Sequence, residues 1–121
     1  MKKAITYIRV STKMQDVARQ RMKIQEYCDR NNYEIVQEIV DYGISGARAD
    51  REGYIKLQSL TDKDGEILVI SELSRLSREE TLITVNTIQN IIYNGLDVVF
   101  LDDASKYYKA NQALNLIELI T

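Results

Sequence analysis

Short apolar runs rich in β-branched residues alternate along the chain with stretches whose apolar residues return every three or four positions. Residues 3–10 (Lys3-Ala-Ile-Thr-Tyr-Ile-Arg-Val10) read as a first strand. Thr12-Lys13-Met14-Gln15 matches a capping box, with a hydroxyl at the cap and an amide three residues on. Met14, Val17, Ile24 and Cys28 then fall on one helical face running to Asn31 or Asn32. Tyr33 to Val40 is a second strand, and Asp41 to Asp50, with two glycines and small polar residues, reads as a mobile loop. A second helix from Arg51 or Glu52 is expected to bury Tyr54, Ile55, Leu57 and Leu60. Asp62-Lys63-Asp64-Gly65 turns the chain into a third strand, Glu66 to Ile70, whose unbroken apolar run fits burial on both faces. A third helix spans Glu79 to Asn94 with Leu82, Val85, Ile88 and Ile92 as its stripe and Gly95 as its C-cap. Asp97 to Leu101 is a fourth strand, and a last helix starts near Ala110 with Leu114, Ile117 and Ile120 on one side.

Strands alternating with helices predict an α/β fold: three α/β/α layers around a mostly parallel sheet of four or five strands. The length, 121 residues, corresponds to one domain. Ligands of such sheets bind beyond the carboxyl ends of the strands, where strand order reverses. If strands one and three are neighbours, Ser11 faces the segment from Ser71 to Arg78 across that crevice.

Composition narrows the chemistry. The chain has no histidine, which excludes Ser-His triads and the commonest zinc ligand. Its one cysteine, Cys28, forms no internal disulfide and fits a reducing cytoplasm; mid-helix and without a phosphate-cradling loop, it is not a phosphatase nucleophile. Asp62-x-Asp64-x-Glu66 is an incomplete calcium loop better explained as a turn, so no metal is expected. No window is apolar for long enough to span a bilayer. Net charge is −2, against the basic balance of a self-sufficient DNA-binding domain, yet the arginines gather in particular segments.

The first strand carries an arginine where burial on both sides is expected. Tyr7, Arg9 and Ser11 share one face, Ile8 and Val10 the other. A buried guanidinium needs a partner. Ser11, between a strand end and a helix N-terminus, is placed where backbone N–H groups favour an anion. Leu73-Ser74-Arg75-Leu76-Ser77-Arg78 sets two arginines three apart after a buried strand, where both guanidinium forks can meet one phosphate. Arg51 is a further candidate. No residue in the sequence identifies itself as the base for Ser11.

Taken together and in order, Tyr7-Ile8-Arg9-Val10-Ser11-Thr12 with Gln15, Ser45-Gly46 with Asp50-Arg51 and Gly53, Leu73 to Arg78, and Phe100-Leu101-Asp102-Asp103 resemble the catalytic domain of the serine recombinases, the resolvase/invertase family. The resemblance covers nearly the whole chain and leans toward the large or transposon-encoded members. It implies that Ser11 attacks a DNA phosphodiester to give a 5′-phosphoserine link, with Arg9, Arg51, Arg75 and Arg78 around the phosphate and Gln15, Gln20, Ser45 and Ser74 at supporting positions. Many members have an aspartate where this chain has Ser74. The resemblance further implies double-stranded DNA as substrate, no cofactor, assembly into dimers and tetramers through the helix beginning near residue 110, a DNA-binding region outside this chain, and a bacterial cytoplasmic setting at the nucleoid; residues 1–121 alone are expected to be inactive. Without it, the residues also fit a non-catalytic assembly module that pairs through its last helix, or a phosphate or nucleotide hydrolase.

Overall fold

The computed structural model describes residues 1–10, 14–42, 52–72, 81–102 and 106–112, with backbone alone for 14, 15 and 81–84. Among the described residues, five strands form one sheet: β1 (Lys2–Val10), β2 (Tyr33–Tyr42), β3 (Ile67–Ile70), β4 (Asp97–Phe100) and β5 (Lys106–Tyr108). Their order is β2-β1-β3-β4-β5. The first four are parallel, and β5 runs antiparallel on β4. Among the described residues, three helices link the parallel strands: α1 (Met14–Arg30), α2 (Glu52–Ser59) and α3 (Thr81–Tyr93).

Alternation along the strands divides the core in two. Ile5, Tyr7, Leu68, Ile70, Val98 and Phe100 pack on one face with Leu57 of α2 and Ile88 of α3. Ala4, Ile8, Val10, Ile67, Val69 and Val99 pack on the other with Val17, Ile24 and Cys28 of α1. The chain moves from β1 outward to β2, then back past β1 to β3. Crossovers of one hand in opposite directions put α1 on one face and α2 and α3 on the other. The reversal lies between β1 and β3, which are neighbours as the crevice requires.

Helix ends follow local chemistry. α1 stops where Asn32 takes φ 59° and the Asn31 side-chain amide donates to the Tyr27 carbonyl at 2.9 Å. α3 ends in a Schellman motif: Leu96 N–H donates to Ile91 O and Gly95 N–H to Ile92 O, with Gly95 at φ 102°. Gly95 thus fills its expected role.

Four expectations are corrected. Ile55 is 53% exposed, because the short α2 turns only Gly53, Tyr54 and Leu57 inward. Asp41 and Tyr42 belong to β2, which pairs with β1 as far as Arg9↔Asp41 and Val10↔Tyr42. Leu101 lies beyond β4, which ends at Phe100. No helix begins at Ala110: residues 110 and 111 form a turn, held by Ala110 N–H on Asp97 and by Asn111 at φ 61°. The expected cap at Thr12, the helix start at Glu79 and the last helix beyond 112 lie outside the described residues.

Candidate active site at the sheet's switch point

The carboxyl ends of β1, β2, β3 and β4 lie along one edge of the sheet. From that edge the chain enters segments 11–13, 43–51, 73–80 and 103–105. Ser11, Ser45, Arg51, Ser74, Arg75 and Arg78 belong to those segments and lie outside the described residues, as does the side chain of Gln15. Arg9 and Gln20 are described, and both are at the switch point.

Arg9, the penultimate residue of β1, is 3% exposed. Asp41 stands opposite it on β2, equally buried. An irregularity in β2 brings Asp41 there. Ala4 pairs with Ile35 but Ile5 pairs with Gln37, leaving Val36 as an extra residue. A bulge exchanges the faces of all later positions. Ile35 accordingly packs on the α1 side, whereas Ile39 and Asp41 turn to the side of Tyr7 and α2.

Asp41 accepts a hydrogen bond from the Tyr7 hydroxyl at 2.5 Å and from the backbone N–H groups of Gly53 at 2.8 Å and Tyr54 at 3.1 Å. It caps the first turn of α2, where N–H groups have no helical partner. Gly53 is required by this approach: a Cβ there would lie 2.7 Å from an Asp41 oxygen. Asp41 was missed by sequence reasoning because the second strand was expected to end at Val40, which left Asp41 in the loop.

Gln20 is fully buried in the stripe with Val17 and Ile24. Its amide nitrogen donates to the Arg9 carbonyl at 3.1 Å, and its amide oxygen accepts from the Ser71 hydroxyl at 3.3 Å. One residue earlier on α1, Arg19 pairs with Glu72 at 2.8 Å and with Asp16 at 2.9 Å; Glu72, then Asp16, holds its guanidinium charged above the usual arginine range. Among the described residues, no group of three or more carboxylate and thiol ligands could hold a metal ion. Cys28 is buried, and burial pushes its thiol up to about 11.

A doubly wound sheet with a buried arginine and polar bridges at its switch point is a frame for binding anions at the strand ends. The family described as "Resolvase, N terminal domain" matches residues 4–120, and the chain belongs to that family, as a resolvase-type serine recombinase catalytic domain. No curated protein matches it. Among solved structures, the N-terminal catalytic domain of TP901-1 integrase is similar over 98% of this chain and 90% of its own, at 23% identity and a TM-score of 0.80. A resolvase family site-specific recombinase from Streptococcus pneumoniae is similar over 99% and 84%, at 21% identity and a TM-score of 0.75. The C-terminal catalytic domain of ISC1926 TnpA, an IS607-like serine recombinase, is similar over 84% and 69%, at 23% identity and a TM-score of 0.73. At these identities the likeness is one of fold. No described helix is long and apolar enough to cross a membrane.

Proposed function

We propose that the chain is the catalytic domain, spanning residues 1–121, of a site-specific DNA recombinase that breaks and rejoins duplex DNA through Ser11. The Ser11 oxygen attacks a backbone phosphorus, the bond to the 3′ oxygen breaks, and the serine proton is balanced by the one gained on the 3′-hydroxyl. The 5′-phosphoserine link keeps the phosphodiester's energy, so rejoining takes no nucleotide cofactor. Arg9, Arg51, Arg75 and Arg78 surround the phosphate and stabilise charge on its equatorial oxygens, a contribution of roughly 3 kcal/mol per well-placed donor. Gln15, Gln20, Ser45 and Ser74 support the site. Subunits assemble through the segment beyond residue 112.

The observation that carries this reading is Arg9, buried at the end of β1 beside the switch point, on a chain that belongs to the resolvase family. Arg9 lies two residues before Ser11, and β3, which leads toward Arg75 and Arg78, is the neighbouring strand. The complete gene product, mixed with duplex DNA from its own locus and quenched in detergent, is expected to give a protein–DNA adduct that survives denaturation and disappears in Ser11→Ala. An adduct that persists in Ser11→Ala refutes the reading. Self-association without any adduct favours the assembly module instead.

A further inference from the structure

The backbone ladder between β1 and β3 stops at Tyr7↔Ile70. β3 ends at that pair while β1 runs on to Val10, and side chains of α1 join the two strand exits. Gln20 joins the Arg9 carbonyl on the β1 side to the Ser71 hydroxyl on the β3 side. Gln20 and Ser71 are each 0% exposed. Arg19 reaches the next residue, Glu72, at 2.8 Å while Asp16, one turn back, steadies its guanidinium. Two successive residues of α1 therefore hold two successive residues at the exit of β3. The next residues in sequence are 73–78, which contain Arg75 and Arg78.

We infer that Ser71, Glu72 and Arg19 are positioning residues: their grip on the β3 exit sets where the Arg75–Arg78 segment stands relative to the end of β1. This rests on the reading of those arginines as phosphate ligands. The physical case is that a buried amide and hydroxyl are tolerated only in the geometry that satisfies both. The ion pair is partly exposed, so it aligns the exit more than it stabilises the fold. A shift of about 1 Å in a charged ligand can reduce a reaction rate by up to about a hundredfold.

The test compares Arg19→Glu, Glu72→Arg, the double reversal Arg19→Glu/Glu72→Arg, Ser71→Ala and Ser71→Thr in the whole chain. Amide hydrogen exchange of peptides covering 73–78 is read first, because it needs no activity. Each single reversal is expected to speed exchange there by roughly threefold, and Ser71→Ala by about tenfold, with the α1 and β3 peptides unchanged. The double reversal and Ser71→Thr return exchange toward the parent value. In the complete gene product, the same singles are expected to slow Ser11 adduct formation about tenfold or more at saturating DNA, with half-saturation within about twofold, and the double reversal restores the rate. Unchanged exchange over 73–78 in both single reversals overturns the inference, as does a double reversal no better than the singles. A parent protein that forms no Ser11-dependent adduct refutes the functional reading alone, and the exchange data still decide the grip.

Discussion

Asp41 is buried with three donors aimed at its two oxygens: the Tyr7 hydroxyl and the N–H groups of Gly53 and Tyr54. Asp41→Asn keeps the shape but replaces one oxygen with a donor that must face other donors. Hydrogen bonds to a buried charge are each worth about 1.5–3 kcal/mol, so the substitution is expected to cost roughly 2–4 kcal/mol, read as a lower urea midpoint at unchanged slope. Cys28 offers an independent check of the same core. Its thiol is pushed up to about 11 by burial between α1 and the sheet, so it is expected to resist thiol reagents at pH 8 in the folded protein and to react fully once denaturant is added. Arg9 was legible from sequence because simple alternation locates it beside Tyr7. Asp41 was not, because a charged residue followed closely by Gly43 reads as the start of a loop, and it is the pairing with Arg9 and Val10 of β1 that carries β2 on to Tyr42. Gln20 carried a readable signal of its own, since it is spaced three and four residues from Val17 and Ile24 on the buried stripe of α1. A polar residue at such a position invites a search for partners, and Arg9 and Ser71 are the ones the fold supplies.

Elements with strong periodicity or long apolar runs were readable; short ones were not. β3 is buried throughout, as its unbroken apolar run implies, and β1 is buried from Ala4 onward with Thr6 and Arg9 included. α2 has only eight residues, too few for an apolar stripe to be separated from chance. Its two isoleucine and leucine positions therefore make a direct comparison. Ile55→Lys, at a 53% exposed site, is expected to change stability by less than about 0.5 kcal/mol. Leu57→Ala, at a fully buried site, is expected to cost about 2–5 kcal/mol. Thermal melts of the two variants check the assignment, and a large loss in Ile55→Lys would show that its face is covered. β5, with three residues, is below the length at which alternation can be seen. What creates it is tertiary: Val98, Val99 and Phe100 supply an open strand edge, and Tyr108 packs against the Phe100 ring edge-on at 6.3 Å. Pairing there carries the chain back along the sheet, and residues 110 and 111 form a turn where a helix was expected to start.

Across the whole molecule, Asp97 ties the first strand to the last described turn. Its carboxylate accepts from the Tyr107 hydroxyl, from Lys2 Nζ at 3.2 Å and from Ala110 N–H at 2.8 Å. Lys2 also lies 5.9 Å from the ring centroids of both Tyr33 and Tyr107, so one cluster joins β1, β2, β4, β5 and the turn leading to residue 113. Burial alone would raise the Asp97 carboxyl, but the bonds from Tyr107, Ala110 and Lys2 outweigh it and hold the group below its usual range. Burial, reinforced by Asp97, keeps the Tyr107 hydroxyl protonated well above the usual tyrosine range, so it is a donor at neutral and acidic pH. The sign of the linkage follows. An aspartate ionises near pH 3.9 in the unfolded chain and lower in the fold, so the unfolded state binds the proton more tightly. The stabilisation from Asp97 is therefore present in full above about pH 5 and is lost as pH falls through the folded value. Asp97→Asn removes the charge but keeps a carbonyl for one donor, so at pH 7 it is expected to lower stability by about 1–2 kcal/mol. Its urea midpoint should also decline less steeply than the parent's between pH 5 and pH 3. Other carboxylates titrate in both proteins, which is why the difference between the two curves is the quantity to read. Curves that stay parallel through that interval would mean that Asp97 is not holding the turn, and that residues 110–112 are set by the Asn111 N–H on Ile92 O and the Gln89 amide on Gln112 O instead.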